Sequence, residues 1–284
     1  PGFAVIAVAV ATVTRVPAPG TATHSTGGAS RKRMYWAEGV FFAAGLFIGS
    51  FLNVVIYRMP RGESVVAGRS RCPACGRVLA WYDLVPVLSY LALRGRCRYC
   101  GTPISPRYPL VELLTGAVFA ALFHRFGPTP VLAKYLFLGA ILIAATFIDL
   151  EHYLIPDRLV LAGLAGAVIL AFAARDVGTW SALAGCAAGA GFLSVVAVIS
   201  KGGMGGGDVK LAAVVGLFLG WPLVALALFL AVVVGGLAAS VLLLLRVKGR
   251  KDPVPFAPFI AAGTLTATLW GWHIVDWYQQ VFLL

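Results

Sequence analysis

Apolar stretches of about 20 residues, the length that crosses the hydrocarbon core of a bilayer, recur along most of this chain. Segments at 36–57, 109–126, 131–148, 159–174, 180–199, 209–220, 223–245 and 256–275 meet that requirement; the sixth is short at 12 residues and is expected to be tilted, re-entrant or extended through Trp221. Inside hydrocarbon every backbone N–H and C=O needs an internal partner, which leaves helices or a closed barrel. A barrel alternates over strands of about 10 residues, and the long Ala/Leu/Val runs do not alternate. The expected fold class is therefore all-α, a polytopic membrane protein of about eight transmembrane helices. Composition agrees: 12% of residues are charged, against about 25% in soluble domains.

The net charge of +12 could suggest a nucleic-acid partner, but its distribution argues for membrane orientation. With the N-terminus outside, the segments 58–108, 149–158, 200–210 and 246–258 share one side and hold sixteen of the Lys and Arg residues; the other side holds seven. Positive charge collects on the cytoplasmic side. The basic residues flank spans and lack interleaved base-stacking aromatics, so no nucleic-acid partner is expected, and the bilayer is.

Residues 1–33 fit this pattern poorly. Phe3–Val13 is an apolar run too short to span, and Arg31-Lys32-Arg33 directly before the first span would favour an inside N-terminus. The segment is expected to be a disordered extension or the product of a start assigned upstream of Met34.

The first cytoplasmic loop contains Cys72-x2-Cys75 and, after a gap of 21 residues, Cys97-x2-Cys100, each pair followed by glycine. Two such knuckles let four thiolates surround Zn2+ in a tetrahedron, the glycines permitting the tight turn behind the second sulfur. A pair of disulfides is the competing reading, and a reducing compartment disfavours it. A closed four-cysteine site leaves no open coordination position, so the metal's expected role is structural. Cys186, among small residues of the fifth span, reads as a buried apolar filler.

Two acidic sites stand apart at span edges. The third span runs into Ile148-Asp149, followed by Ile155-Pro156-Asp157; the sixth begins after Gly205-Gly206-Gly207-Asp208-Val209-Lys210. An acidic residue at the bilayer boundary is costly and is by default a functional candidate. Two neighbouring aspartates do not both ionise easily; the ionised one can take a proton from water while the protonated one polarises a scissile carbonyl. Gly205, Gly206 and Gly207 lack side chains and would let an extended substrate backbone approach closely. The structural reading of Asp208 is a helix cap, and Asp157 reads more readily as a cap than as a catalytic group.

Several ordered motifs resemble the type IV prepilin peptidases, membrane aspartyl proteases of the Gly-x-Gly-Asp kind. They are Gly49-Ser50-Phe51-Leu52-Asn53-Val54-Val55, the paired knuckles, Ser105-Pro106-Arg107-Tyr108-Pro109-Leu110-Val111-Glu112, Ile148-Asp149, Gly205-Gly206-Gly207-Asp208-Val209-Lys210 and Pro255-Phe256-Ala257-Pro258. Ala257 stands where the family often has glycine. The resemblance implies that Asp149 and Asp208 are the proteolytic aspartates, and that the substrates are prepilins and pseudopilins cut between a basic leader and an apolar helix. It also implies S-adenosylmethionine-dependent N-methylation of the new N-terminus, associated with the cysteine loop, in the bacterial cytoplasmic (inner) membrane with the active site on the cytoplasmic side. The expected organisation is an extension at 1–33, a first transmembrane helix at 34–57, the zinc loop at 58–108 and a protease core at 109–284. Glu63, Asp83 or Glu112 would offer the basic leader an acidic contact. The competing functions are a proton-coupled transporter using Asp149 and Asp208, and an assembly factor that uses the zinc loop for protein contacts.

Overall fold

The computed structural model describes residues 28–199, 204–247, 249 and 252–282. Of the extension expected over 1–33, residues 1–27 lie outside this set. Regular structure among the described residues is helical, apart from two isolated β-bridges. Each apolar segment read from the sequence forms a helix: α1 (Gly28–Arg58), α3 (Arg107–Phe126), α4 (Pro130–His152), α5 (Asp157–Ala174), α6 (Thr179–Ile199), α7 (Gly206–Leu219), α8 (Leu223–Leu244) and α9 (Ala257–Phe282). A short α2 (Leu88–Ala92) lies in the cysteine loop. Among the described residues, five helices are long and apolar enough to cross a membrane, those in Met34–Arg61, Arg107–Phe126, Pro130–His152, Thr179–Ile199 and Leu223–Leu244. At 14 residues, α7 reaches only about 21 Å, short of a hydrocarbon core of about 30 Å.

The described residues form two compact units, one ending at Gly127 and the other beginning at Pro128. In the first, α1 packs on α3 along a seam of small residues spaced four apart. A Cβ on Gly45 would stand 2.7 Å from the Gly116 Cα, and one on Gly49 would stand 2.6 Å from the Glu112 Cα. Close approach of this kind gives membrane helices their dispersion contact, because lipid supplies no hydrophobic drive between them. One turn further along, Asn53 Nδ2 donates to the Tyr108 carbonyl at 3.1 Å. This seam explains the glycine and asparagine of the motif at 49–55. On the opposite face of α1, Trp36, Val40, Phe47 and Phe51 point outward, as they would toward lipid. Gly49→Leu should lower the thermal unfolding midpoint in detergent through overpacking of about 1–3 kcal/mol. Gly39→Leu should leave it unchanged, because nothing lies within 4 Å of a Cβ there.

The second unit contains the six remaining long helices. Its interior is built on α4, most of whose residues are buried, and on α7, whose inward residues run from Asp208 to Leu219. The flanking α6 and α8 bury few of their residues, as suits lipid-facing helices. Glycines again set the contacts: Gly185 of α6 lies against the carbonyl of Gly216, and Gly189 against that of Ala212. Cys186, expected as a buried filler, is only partly covered in this row. At the start of α4, Lys134 Nζ donates to Asp176 at 2.7 Å and 3.0 Å, and the Tyr135 hydroxyl donates to the same carboxylate. This buried charge is paired, as membrane burial requires. It lies fifteen residues, about 22 Å along the helix, from Asp149.

Candidate active site and metal centre

Asp149 sits in the last turn of α4 and Asp208 in the first turn of α7, so antiparallel helix ends bring both carboxylates to one end of the second unit. Both are buried, at 5% and 8% exposure, and they are close enough for their charges to act on each other. The backbone N–H of Ala257, at the start of α9, donates to Asp149 Oδ2 at 3.0 Å. The Gly205 amide approaches the Asp208 carboxylate, and Asp208 Oδ1 is buried with no partner.

The surrounding motifs interlock. A Cβ on Gly207 would stand 3.0 Å from the Ile155 Cβ, so the glycine lets the α4–α5 connection close onto α7. Lys210 Nζ reaches Asp157 Oδ1 at 2.6 Å, tying the same two segments together. This corrects the reading of Asp157 as a cap: its side chain makes no cap hydrogen bond at the start of α5 and instead holds a lysine on another helix. Asp208 keeps a capping role, its carboxylate reaching back to the Gly205 amide at the start of α7. Gly205 is the capping residue of α7, without a side-chain cap bond, and Asp208 lies three residues inside. Of the three glycines expected to face a substrate, Gly205 and Gly206 are exposed and a Cβ on Gly206 meets nothing, whereas Gly207 is needed for packing.

The Ala257 donor was not legible from sequence, since 108 residues separate it from Asp149; the only signal was its place in the Pro-Phe-Ala-Pro motif. A proline at 257 would remove this N–H where the helix begins, a position that tolerates proline. Hydrogen bonds to charged groups contribute about 1.5–3 kcal/mol, so Ala257→Pro should lower activity by about tenfold to 100-fold while the protein stays folded. Turnover and thermal melting measured on one preparation check this.

In the first unit the knuckles are near copies. Cys72 N–H bonds to Arg77 O at 3.0 Å and Gly76 N–H to Cys72 O at 2.9 Å; Cys97 N–H bonds to Thr102 O and Gly101 N–H to Cys97 O, both at 2.9 Å. Bridges between Arg71 and Val78 and between Arg96 and Pro103 close the two turns. Gly76 and Gly101 have φ of 69° and 70°, the left-handed conformation that glycine adopts without strain. The sulfurs of Cys72, Cys75, Cys97 and Cys100 all lie within 4.8 Å of one another. A tetrahedral Zn–S bond of about 2.3 Å sets neighbouring sulfurs about 3.8 Å apart, and Cys72 Sγ lies 3.9 Å from Cys100 Sγ. Contact with the Thr102 hydroxyl and amide lowers the Cys100 thiol to about 6, favouring the thiolate a metal binds. The donor set and its spacing fit a structural zinc ion.

The acidic residues expected to meet a basic leader are mostly engaged elsewhere. Burial opposes ionisation of Asp83, but hydrogen bonds from Arg98, the Ala80 amide and Tyr99 outweigh it and hold the carboxyl below its usual range. Glu112 is buried and accepts the Val87 N–H at 2.8 Å. Only Glu63 of the three is exposed.

Comparison with known proteins places the sequence in a family. Residues 43–126 match the bacterial peptidase A24 N-terminal domain, and residues 136–240 match the type IV leader peptidase family. A protein named prepilin leader peptidase/N-methyltransferase from Bacillus subtilis is 40% identical over 86% of this chain and 98% of its own length. One of the same name from Aeromonas hydrophila is 37% identical over 85% of this chain and 93% of its own length. A third, from Myxococcus xanthus, is 45% identical over 75% of this chain, which spans 64% of that relative. No solved structure matches. With two family segments in order along one chain and a relative matched over almost its whole length, the chain belongs to the type IV leader peptidase family.

Proposed function

We propose that this protein is a membrane aspartyl endopeptidase that removes the leader of prepilins and pseudopilins, and that it then N-methylates the new N-terminus. The observation that carries the proteolytic reading is the pair Asp149 and Asp208, buried at one end of the second unit within range of each other's charge. One carboxylate, ionised, takes a proton from the attacking water; the other, protonated, donates to the scissile carbonyl. The titration belongs to the pair. The Ala257 amide fixes Asp149, while the Gly205 amide leaves Asp208 Oδ1 without a partner and able to meet substrate or water. Gly205 and Gly206 would receive the substrate backbone in extended form.

The relatives' name extends to methylation, for which S-adenosylmethionine supplies the methyl group. No glycine-rich donor fingerprint marks its site in the sequence. The four cysteines would hold zinc to keep the loop folded, leaving both chemistries to other residues. The charge distribution supports a cytoplasmic active-site face in the bacterial inner membrane. There a prepilin's apolar helix lies in the bilayer and its leader emerges beside the aspartates.

Liposomes containing the purified protein and a synthetic prepilin test the reading. Leader release is the expected result. Proton flux driven by a pH gradient, with the precursor intact, would instead favour a transporter built on the same two aspartates.

A further inference from the structure

Among the described residues, the segment between the knuckles presents large apolar side chains that stay exposed, Tyr82 alone sharing one ring face with the Arg98 guanidinium. Trp81, Tyr82, Leu84, Leu88 and Leu91 are 79%, 46%, 38%, 66% and 64% exposed. Leu88 and Leu91 are three apart on α2 and share a face. Scattered apolar residues on a surface need no explanation, but five within eleven positions do.

The depth of this segment is fixed by a buried carboxylate. Glu112 lies five residues into α3, about 7.5 Å along its axis. It is 7% exposed, contacts Ser50 of α1 and accepts the N–H of Val87. Val87 directly precedes α2 and has φ 60° and ψ −48°, a strained conformation for a β-branched residue. The structure thus draws the loop down onto the helix pair, so that α2 begins beside a membrane-spanning helix. There Leu110, Leu113 and Leu114 of α3 are themselves outward-facing. Charge selects the partner. Residues 58–108 hold nine arginines against Glu63 and Asp83 alone, with Arg94, Arg96 and Arg98 immediately after α2. Trp and Tyr favour the headgroup level, and a basic apolar segment lies in the interface of an anionic bilayer.

We propose that residues 81–92 form an interfacial foot. It beds Trp81, Tyr82, Leu84, Leu88 and Leu91 into the headgroup boundary of the anionic bilayer the chain itself crosses, with Glu112 as its anchor. The foot sets the height of both knuckles above the membrane, because Asp83 is bonded to Arg98 and Tyr99 of the second knuckle.

The test uses the full chain in nanodiscs of phosphatidylcholine, with or without phosphatidylglycerol, containing lipids brominated near the headgroup. The signal of Trp81 is the difference between wild type and Trp81→Phe. The expected result is blue-shifted Trp81 emission, quenched by bromine and more strongly quenched when phosphatidylglycerol is present. The double variant Leu88→Glu with Leu91→Glu should lose most of that quenching while keeping its zinc content and helical circular dichroism. Unquenched Trp81 emission would overturn the proposal, and so would quenching indifferent to lipid charge. Blue-shifted emission without bromine quenching would also overturn it, by showing that protein covers the face.

Discussion

Asp149→Asn and Asp208→Asn should each leave a prepilin precursor uncut, with activity down by at least about 10³-fold, toward the upper end of what a positioned acid or base contributes. Asparagine matches the shape of aspartate, and at 149 its carbonyl oxygen can still accept the Ala257 N–H, so the fold around α4 and α9 should persist. It cannot carry the proton that passes between water and the scissile group. Thermal melting of each variant within a few degrees of wild type, combined with unprocessed substrate, separates lost chemistry from lost structure. Because the two carboxylates form one unit, the double variant should be no worse than either single one.

Cys72→Ser, or removal of the metal by a chelator, should act elsewhere. The loop from Met59 to Pro106 has two 3-10 turns, one five-residue helix and few buried side chains, so its order depends on the metal centre. Structural zinc contributes about 10–16 kcal/mol of apparent binding free energy in small zinc-finger peptides, more than such a loop can replace. Arg58, which reaches the carbonyls of Ser64, Ala67, Gly68 and Arg69, would hold only the first turn of it. The expected outcome is loss of bound zinc, rapid proteolysis within 59–106 and loss of methylation. Leader removal should persist, because Asp149, Asp208 and Ala257 all lie in the second unit. Limited proteolysis alongside metal analysis reads the first two effects, and intact-mass measurement of the processed pilin reads the others.

Much of this was legible in the sequence, for particular reasons. Apolar runs announce helices because a bilayer allows little else, and the knuckles announce a metal because the sulfur spacing is local. Asp149 and Asp208 stood out because carboxylates are rare at span edges. The contacts that give these residues their setting are not local. Nothing near Gly49 says that it meets the backbone of Glu112, or that Glu112 holds Val87. Asp157 read as a cap because it follows Ile-Pro at a helix start; its partner Lys210 is 53 residues away. Asp83 is one of three acids expected to offer the leader a contact, whereas hydrogen bonds across fifteen and sixteen residues enclose it. Side-chain pairing between segments depends on how helices pack, and local periodicity does not encode it.

The most direct test of the central claim is co-expression with a candidate prepilin, followed by mass spectrometry of the pilin N-terminus. Wild-type protein should yield a pilin lacking its leader and carrying one added methyl group, and Asp208→Asn should yield the intact precursor. A precursor left intact by the wild-type protein, or processed equally well by Asp208→Asn, would contradict the assignment.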